Sequence, residues 1–300
     1  MGVAALKKIF LIVNPKSGKL KGKDALFDII NTMSNNNCIV TTKITEKCGD
    51  AMNYAKSACD SGIFDRIICC GGDGTLSETV AGVLRSENKT TVGYIPCGST
   101  NDYAKSIGLS SDIAEAAKYA CTKEASEIDI GKIDKRYFNY IASFGAFTQA
   151  SYNAPQSLKN MLGHMAYVLE GIKDLTKIKA VNMKIKTESG STEGDYIFGA
   201  VANSTSIGGI VKLSDLIVSL NDGEFEVCLV KKPSNPADLV RIIRGALSAD
   251  FSSPCFEFFK TKSIEFEVPE NMPWSLDGEK YVSGSNVNIS VIPRAVKLVL

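Results

Sequence analysis

The chain has 300 residues, enough for two domains, and its 44% hydrophobic and 22% charged content is that of a soluble globular protein. A formal net charge of +1 excludes the strong overall field that nucleic-acid binding asks for, so no nucleic-acid partner is expected. Nine cysteines, an odd number with no CxxC pair and no Cys/His cluster, argue against structural zinc and for a reducing compartment.

In chain order, "KIFLIV" reads as a buried strand, "NPKSGKLKGK" as a loop and "DALFDIINTMS" as an amphipathic helix. The apolar run "IFLIV" is too short for a signal peptide, and no stretch approaches the ~20 apolar residues that span a bilayer. A cytoplasmic protein is expected, at most peripheral to the inner membrane surface. Between Met1 and Lys23 stand six lysines and no carboxylate, which fits either an anionic ligand or membrane surface, or a merely solvated face. Next come strand "CIVTTKI", helix "DAMNYAKSA", strand "RIICC", helix "LSETVAGVL", strand "TVGYIP", helical "TNDYAKSI" and "DIAEAAKYACT", and strand "EIDIGKI". Short β-rich runs separated by helical patterns imply βαβ units and a parallel sheet.

The character changes near residue 135. Apart from helical stretches at 156–177 and 235–248, the rest reads as strands: "YFNYIASFG", "AVNMKIKTE", "YIFGAVANS", "EFEVCLVKK", "CFEFFKT", "SIEFEVP", "NVNISVIP" and "VKLVL". Several alternate as half-buried antiparallel strands do. The expected fold is an α/β nucleotide-binding domain over 1–135 and a β-rich domain over 136–288, with a C-terminal strand, 289–300, returning toward the first.

Two familiar phosphate fingerprints are absent. The nearest approach to GxxxxGK[ST], from Gly18 to Lys23, has the wrong spacing, and GxGxxG fails because Ser77 stands where its third glycine belongs. Instead, three turns each follow a predicted strand: "NPKSG" (14–18), "GGDGT" (71–75) and "PCGSTND" (96–102). The carboxyl ends of parallel strands share one edge, so these turns should converge on one crevice. Their glycines would let backbone N–H groups approach phosphate oxygens, and helix N-termini behind Thr75 and Thr100 would add positive charge. Asp73 is repulsive among phosphates unless a cation stands between, which points to Mg²⁺–nucleotide chemistry. The blander reading is three unrelated turns, since Asn, Pro, Gly, Asp and Ser are turn residues anyway.

With "NPKSG", "GGDGT" and "GSTND" in this order and spacing, the chain resembles the diacylglycerol kinase catalytic-domain family, and over nearly its whole length its bacterial lipid kinases. "TEKCGDA" (45–51), "DIG" (129–131), "SFG" (143–145), "LGHMAYVLEGIKDL" (162–175), "LNDGEFEV" (220–227) and "LDGE" (276–279) are similar to further family landmarks. The resemblance implies an NAD kinase- or phosphofructokinase-like ATP domain, a C-terminal antiparallel β-sandwich, and transfer of the γ-phosphoryl of ATP to a lipid hydroxyl, diacylglycerol foremost. It places ATP against Asn14, Pro15, Lys16, Ser17, Gly18, Thr45, Gly72, Asp73, Gly74, Thr75, Leu76, Ser77, Glu78 and Ser99. It makes Asp277 the proton acceptor, and the neighbouring Glu279 reads as a support for it. Asp222 becomes a ligand of a structural Mg²⁺, with backbone carbonyls near Ser219 and Glu224.

Each assignment has a plainer counterpart. Asp277–Gly278 also reads as a hairpin turn, and "LNDGEF" as a tight turn compatible with metal binding. The upstream "NSTSIGGIVKLSD" keeps a Gly pair but lacks the family's Ala-Pro. Lys16 and Lys19 could pair with phosphates or be solvated. His164 reads as a surface or headgroup residue rather than a catalyst. The stripe Leu158, Met161, Leu162, Met165, Val168, Leu169 and Ile172 reads as core, a domain or dimer contact, or a lipid-facing surface. An NAD kinase and a non-catalytic nucleotide-binding regulator are the competing functions. The sequence does not choose among diacylglycerol, sphingoid base, phosphatidylglycerol and polyprenol as acceptor. A homodimer fits the exposed edges of a β-rich domain.

Overall fold

The computed structural model describes residues 6–145, 179–204, 206–207, 211–212, 219–248 and 250–300; the helical stretch at 156–177, with His164 and the apolar stripe beginning at Leu158, lies outside them. The chain forms two compact units, one of Met1–Asp129 with Pro293–Leu300 and one of Ile130–Ile292.

The first unit alternates as its apolar pattern demands. Its elements are β1 (Lys7–Val13), α1 (Lys21–Asp24), α2 (Leu26–Asn35), β2 (Cys38–Ile44), α3 (Asp50–Ser61), β3 (Arg66–Gly71), α4 (Asp73–Leu84), β4 (Thr91–Pro96), α5 (Asp102–Ser106), α6 (Ile113–Thr122) and β5 (Ala125–Ile133), whose last residues pass into the second unit. The strands pair in parallel in the order β2-β1-β3-β4. The inner strands are buried along nearly their whole length, and so they read as continuous apolar runs. Ile9, Leu11, Val13, Ile68, Cys70 and Ile95 pack against Ile29 and Met33 of α2 and Ala116, Ala117 and Ala120 of α6. Helix α6 starts on a capping-box pattern: Asp112 accepts the Glu115 N–H at 2.8 Å. All nine cysteines are free thiols.

The second unit is antiparallel. It comprises β6 (Arg136–Phe138), β7 (Ile141–Gly145), β8 (Val181–Thr187), β9 (Gly190–Ala202), β10 (Ser206–Ile207), β11 (Val211–Lys212), β12 (Phe225–Lys231), α7 (Pro236–Ser248), β13 (Phe256–Thr261), β14 (Ser263–Glu267), β15 (Pro273–Leu276), β16 (Glu279–Val282) and most of β17 (Asn286–Val299). Strand β9 serves two neighbourhoods. Gly190–Tyr196 pairs with β8, and Phe198–Ala202 with β7 on one edge and β12 on the other. The inward faces of β7, β12 and β15 meet those of β8, β14 and β17 in one apolar core, the sandwich arrangement. Phe144, Phe266 and Trp274 lie at its centre, with ring centroids 5.0 to 6.0 Å apart in tilted, edge-on contacts.

Three expectations are adjusted. "YFNYIASFG" is two strands, because the N–H groups of Asn139, Tyr140 and Ile141 turn to the Asp277 carboxylate. "NVNISVIP" and "VKLVL" are one strand, β17, which pairs with β14 up to Ser290 and with β4 at Leu298. Strands β15 and β16 frame the Asp277–Gly278 turn, which bears out its hairpin reading, although neither flank is among the expected strands.

Removing the Phe144 side chain would leave a void that this core has little means to fill. Phe144→Ala is expected to cost about 3–5 kcal/mol, read as a lower urea midpoint followed by the fluorescence of Trp274, the single tryptophan.

Candidate functional site

At the carboxyl edge of the first sheet the three Gly-rich turns touch. Gly18 has φ +53°, and a Cβ there would run into the Cys97 carbonyl. A Cβ on Gly98 would stand 2.7 Å from Gly72 Cα. Hydrogen bonds tie the same turns together: Asn14 Nδ2 donates to Thr75 Oγ1 at 3.0 Å, and the Cys97 N–H donates to the Gly71 carbonyl at 2.7 Å. Asn14 Oδ1 accepts the Lys16 N–H at 3.0 Å and so shapes the first turn. Among the described residues Asn101 Oδ1 is buried with no hydrogen-bond partner, while its Nδ2 donates to the Gly98 carbonyl at 3.1 Å.

Helix α4 opens into this cluster. Its N-cap is the extended Gly72 and no side chain caps it, so its first N–H groups offer the partial positive charge that anions seek. Asp73 is held in place by the Asp102 N–H on Oδ2 at 2.9 Å, with the Tyr94 hydroxyl 3.4 Å from Oδ1. Burial, then the Asp73 charge, push the Tyr94 phenol far above its ordinary range. Burial likewise raises Asp102, against the pull of Lys105. Tyr94 and Asp102 were not among the residues singled out from sequence. Asp102 stood inside "GSTND", whereas Tyr94 is hidden in an apolar strand with no local signal.

The other nucleotide candidates divide by what their side chains do. Lys16 and Ser99 are exposed, and Pro15 is half-buried beside the buried Ser17. Thr45 is buried, its N–H bonded to the Val13 carbonyl at 2.9 Å. Gly74 and Ser77 lie in the first turns of α4, and the Leu76 side chain is in the core. Glu78 reaches back to the start of α3, accepting the Gly49 N–H at 2.7 Å and the Ala51 N–H at 3.2 Å. It therefore shapes the 45–51 segment, together with Asp50, which the N–H groups of Glu46 and Lys47 hold below its ordinary pKa.

In the second unit, Asp277 and Gly278 both have positive φ, +49° and +88°, and form the two-residue turn joining β15 to β16. The Asp277 carboxylate is buried, and accepts the N–H groups of Asn139 at 2.6 Å, Tyr140 at 3.0 Å and Ile141 at 3.1 Å. The hairpin reading and a fixed, buried carboxylate thus coexist. Glu279 is exposed.

The turn before β12 carries the other acidic candidates. Asp222 Oδ1 accepts the Glu224 N–H at 3.1 Å, and Ser219 Oγ bonds Asn221 Oδ1 at 3.1 Å. Asp222 Oδ2 pairs with Lys260 Nζ at 3.0 Å, and the same ammonium stands 3.1 Å from Glu226 Oε1. Burial pushes Glu226 up to about 7, opposed by Lys260. Among the described residues no three His, Cys, Asp or Glu side chains cluster as a metal site.

Comparisons with known proteins also divide the chain in two. Residues 8–133 match the model of the diacylglycerol kinase catalytic domain, and residues 141–300 that of the YegS C-terminal NAD kinase beta sandwich-like domain. The chain is 34% identical over 276 residues to the diacylglycerol kinase of Bacillus subtilis, covering 91% of this chain and 90% of that protein. It is 33% identical to the diacylglycerol kinase of Staphylococcus haemolyticus, covering 90% and 81%. A crystal structure of a diacylglycerol kinase from Bacillus anthracis superposes with a TM-score of 0.73 at 22% identity, covering 99% of this chain and 98% of that one. A second structure from that organism reaches 0.78 at 24%, with the same coverage. At these identities the structures speak to the fold.

The backbone contact at Gly18 leads to one outcome for this subsection. Gly18→Ala is expected to destabilise the chain by about 1–3 kcal/mol and to speed hydrogen exchange in the 14–18 and 96–102 turns. Unchanged exchange there would show that the turns do not depend on this approach.

Proposed function

The chain belongs to the diacylglycerol kinase family, and from that premise we propose that it transfers the γ-phosphoryl of ATP to the free hydroxyl of diacylglycerol, yielding phosphatidic acid. The coarser activity comes with the family: a lipid kinase, a phosphotransferase with an alcohol acceptor, using ATP. Among the described residues no helix is long and apolar enough to cross a membrane. The acceptor would then be met at a membrane surface, by peripheral contact.

One observation carries the nucleotide part of this reading. Three Gly-rich turns and the uncapped start of α4 meet at one sheet edge, with Asp73 among them. Phosphoryl transfer asks a protein chiefly for positioning and charge neutralisation, which this edge would supply through its turn amides and a bound cation. The turn amides and the α4 N-terminus would bind phosphate oxygens. Asn14 would keep the first turn against Thr75, and Glu78 would keep the 45–51 segment in place beside it. A hard divalent ion suits Asp73, an oxygen donor among expected phosphates; Mg²⁺ bound there would neutralise charge on the β- and γ-phosphates.

Asp277 is the group we assign to the acceptor proton. As the new P–O bond forms and the bond to ADP breaks, the hydroxyl proton passes to this carboxylate. Its three backbone donors fix both oxygens in orientation, so no side-chain freedom is lost when a hydroxyl arrives. In Asp277→Asn, ATP-induced thermal stabilisation is expected to persist while turnover falls by at least ~10²-fold. Near-normal turnover would remove the assignment.

The acceptor itself is tested by a panel of lipids in mixed micelles with γ-labelled ATP: diacylglycerol, a sphingoid base, phosphatidylglycerol and a polyprenol, with NAD alongside. Label in phosphatidic acid is the expected result. Phosphorylation of NAD with no lipid product would overturn the reading in favour of an NAD kinase. Stabilisation by ATP with no product at all would favour a regulator.

A further inference from the structure

The resemblance to the lipid kinases gives the turn at Ser219, Asp222 and Glu224 to a structural Mg²⁺, and among the described residues the side chains around it do not fit that ion. Asp222 is the carboxylate such an ion would need. Its Oδ1 already accepts the Glu224 N–H, and its Oδ2 lies 3.0 Å from Lys260 Nζ. We infer that the Lys260 ammonium takes the cation's place, tying Asp222 to the buried Glu226, so that this turn is ordered without a divalent ion.

The arrangement is written into the register. Lys260 of β13 stands directly opposite Glu226 of β12, so the antiparallel ladder itself delivers the ammonium to that carboxylate. Asp222 precedes β12 by two residues of turn, within reach of the same side chain. Glu226 is fully buried, and among the described residues neither of its oxygens accepts a well-aligned hydrogen bond; the 3.1 Å contact with Lys260 is an ion pair. Glu226 therefore holds the ammonium in the sheet, because leaving would strand a buried carboxylate. A divalent ion on Asp222 Oδ2, at the usual ~2.1 Å, would stand no more than about 5 Å from the Lys260 nitrogen. Two cations would then compete for one carboxylate, and the fixed one is already seated.

The test is calorimetric melting of the nucleotide-free full chain in EDTA and in millimolar Mg²⁺, which is blind to the identity of the acceptor lipid. The wild type is expected to melt at the same temperature in both. Lys260→Met should lose at least ~5 °C in EDTA and regain part of it in Mg²⁺. Lys260→Arg should keep both the stability and the indifference to Mg²⁺, and Asp222→Asn in the Lys260→Met background should abolish the recovery. A wild type stabilised several degrees by Mg²⁺, or a Lys260→Met chain that gains nothing from it, would overturn the inference. Should Lys260→Met not fold, Mn²⁺ titration of the wild type by electron paramagnetic resonance decides. No site that depends on Asp222 supports the inference, and a site lost in Asp222→Asn refutes it.

Discussion

At the edge of the first sheet, backbone presses on backbone. Gly18 sits in a left-handed conformation with its Cα against the Cys97 carbonyl, and Gly98 approaches Gly72 so closely that it has no room for a side chain on the facing side. That contact sets the distance between the three turns. The Asn14–Thr75 and Asp73–Asp102 hydrogen bonds can form only because the turns are this near. The parallel sheet brings the turns to one edge, and the glycines let them close. A β-carbon at Gly18 or Gly98 would open this cluster.

Carboxylates do the corresponding work elsewhere, and they do it by holding backbone. Asp277 receives three consecutive amides where β6 gives way to β7. Asp129, fully buried, accepts the N–H of Arg294, a residue at φ +49°. Glu78 and Asp50 together shape the start of α3. Each is an acidic side chain whose partners are N–H groups that ladder or helix bonding leaves over, and a charged acceptor is the stronger choice for them. The Glu226–Lys260–Asp222 group is built differently. There the partner is an ammonium, and removing it would strand the fully buried Glu226.

The βαβ order of the first unit was legible because its strands are buried on both faces and stand out as apolar runs. "CIVTTKI" and "TVGYIP" are the observed β2 and β4 to the residue. The second unit was legible as antiparallel strands but not in its joints. Alternation marks a strand's faces and does not report where a strand changes partners, so β9 and β17 were under-read. The segments on either side of Asp277–Gly278 read in sequence only as the flanks of a hairpin turn; they are β15 and β16, which their mutual pairing and β7 stabilise. Tyr94 and Glu226 carried no local mark, since each is one residue of an apolar strand until its neighbours in space are known.

The sequence by itself determined the alternating first unit, the β-rich second one, the three glycine turns after their strands and the family likeness those turns carry. All of these rest on spacing along the chain, which periodicity and turn chemistry report directly. Only the tertiary structure decided that the turns touch, that Glu78 serves α3, that the carboxylate of the Asp277 hairpin is anchored by three amides, and that Lys260 faces Asp222. Those depend on which strands lie side by side and in what register. Residues 38 apart, as Asp222 and Lys260 are, become an ion pair only after the antiparallel ladder has been laid down.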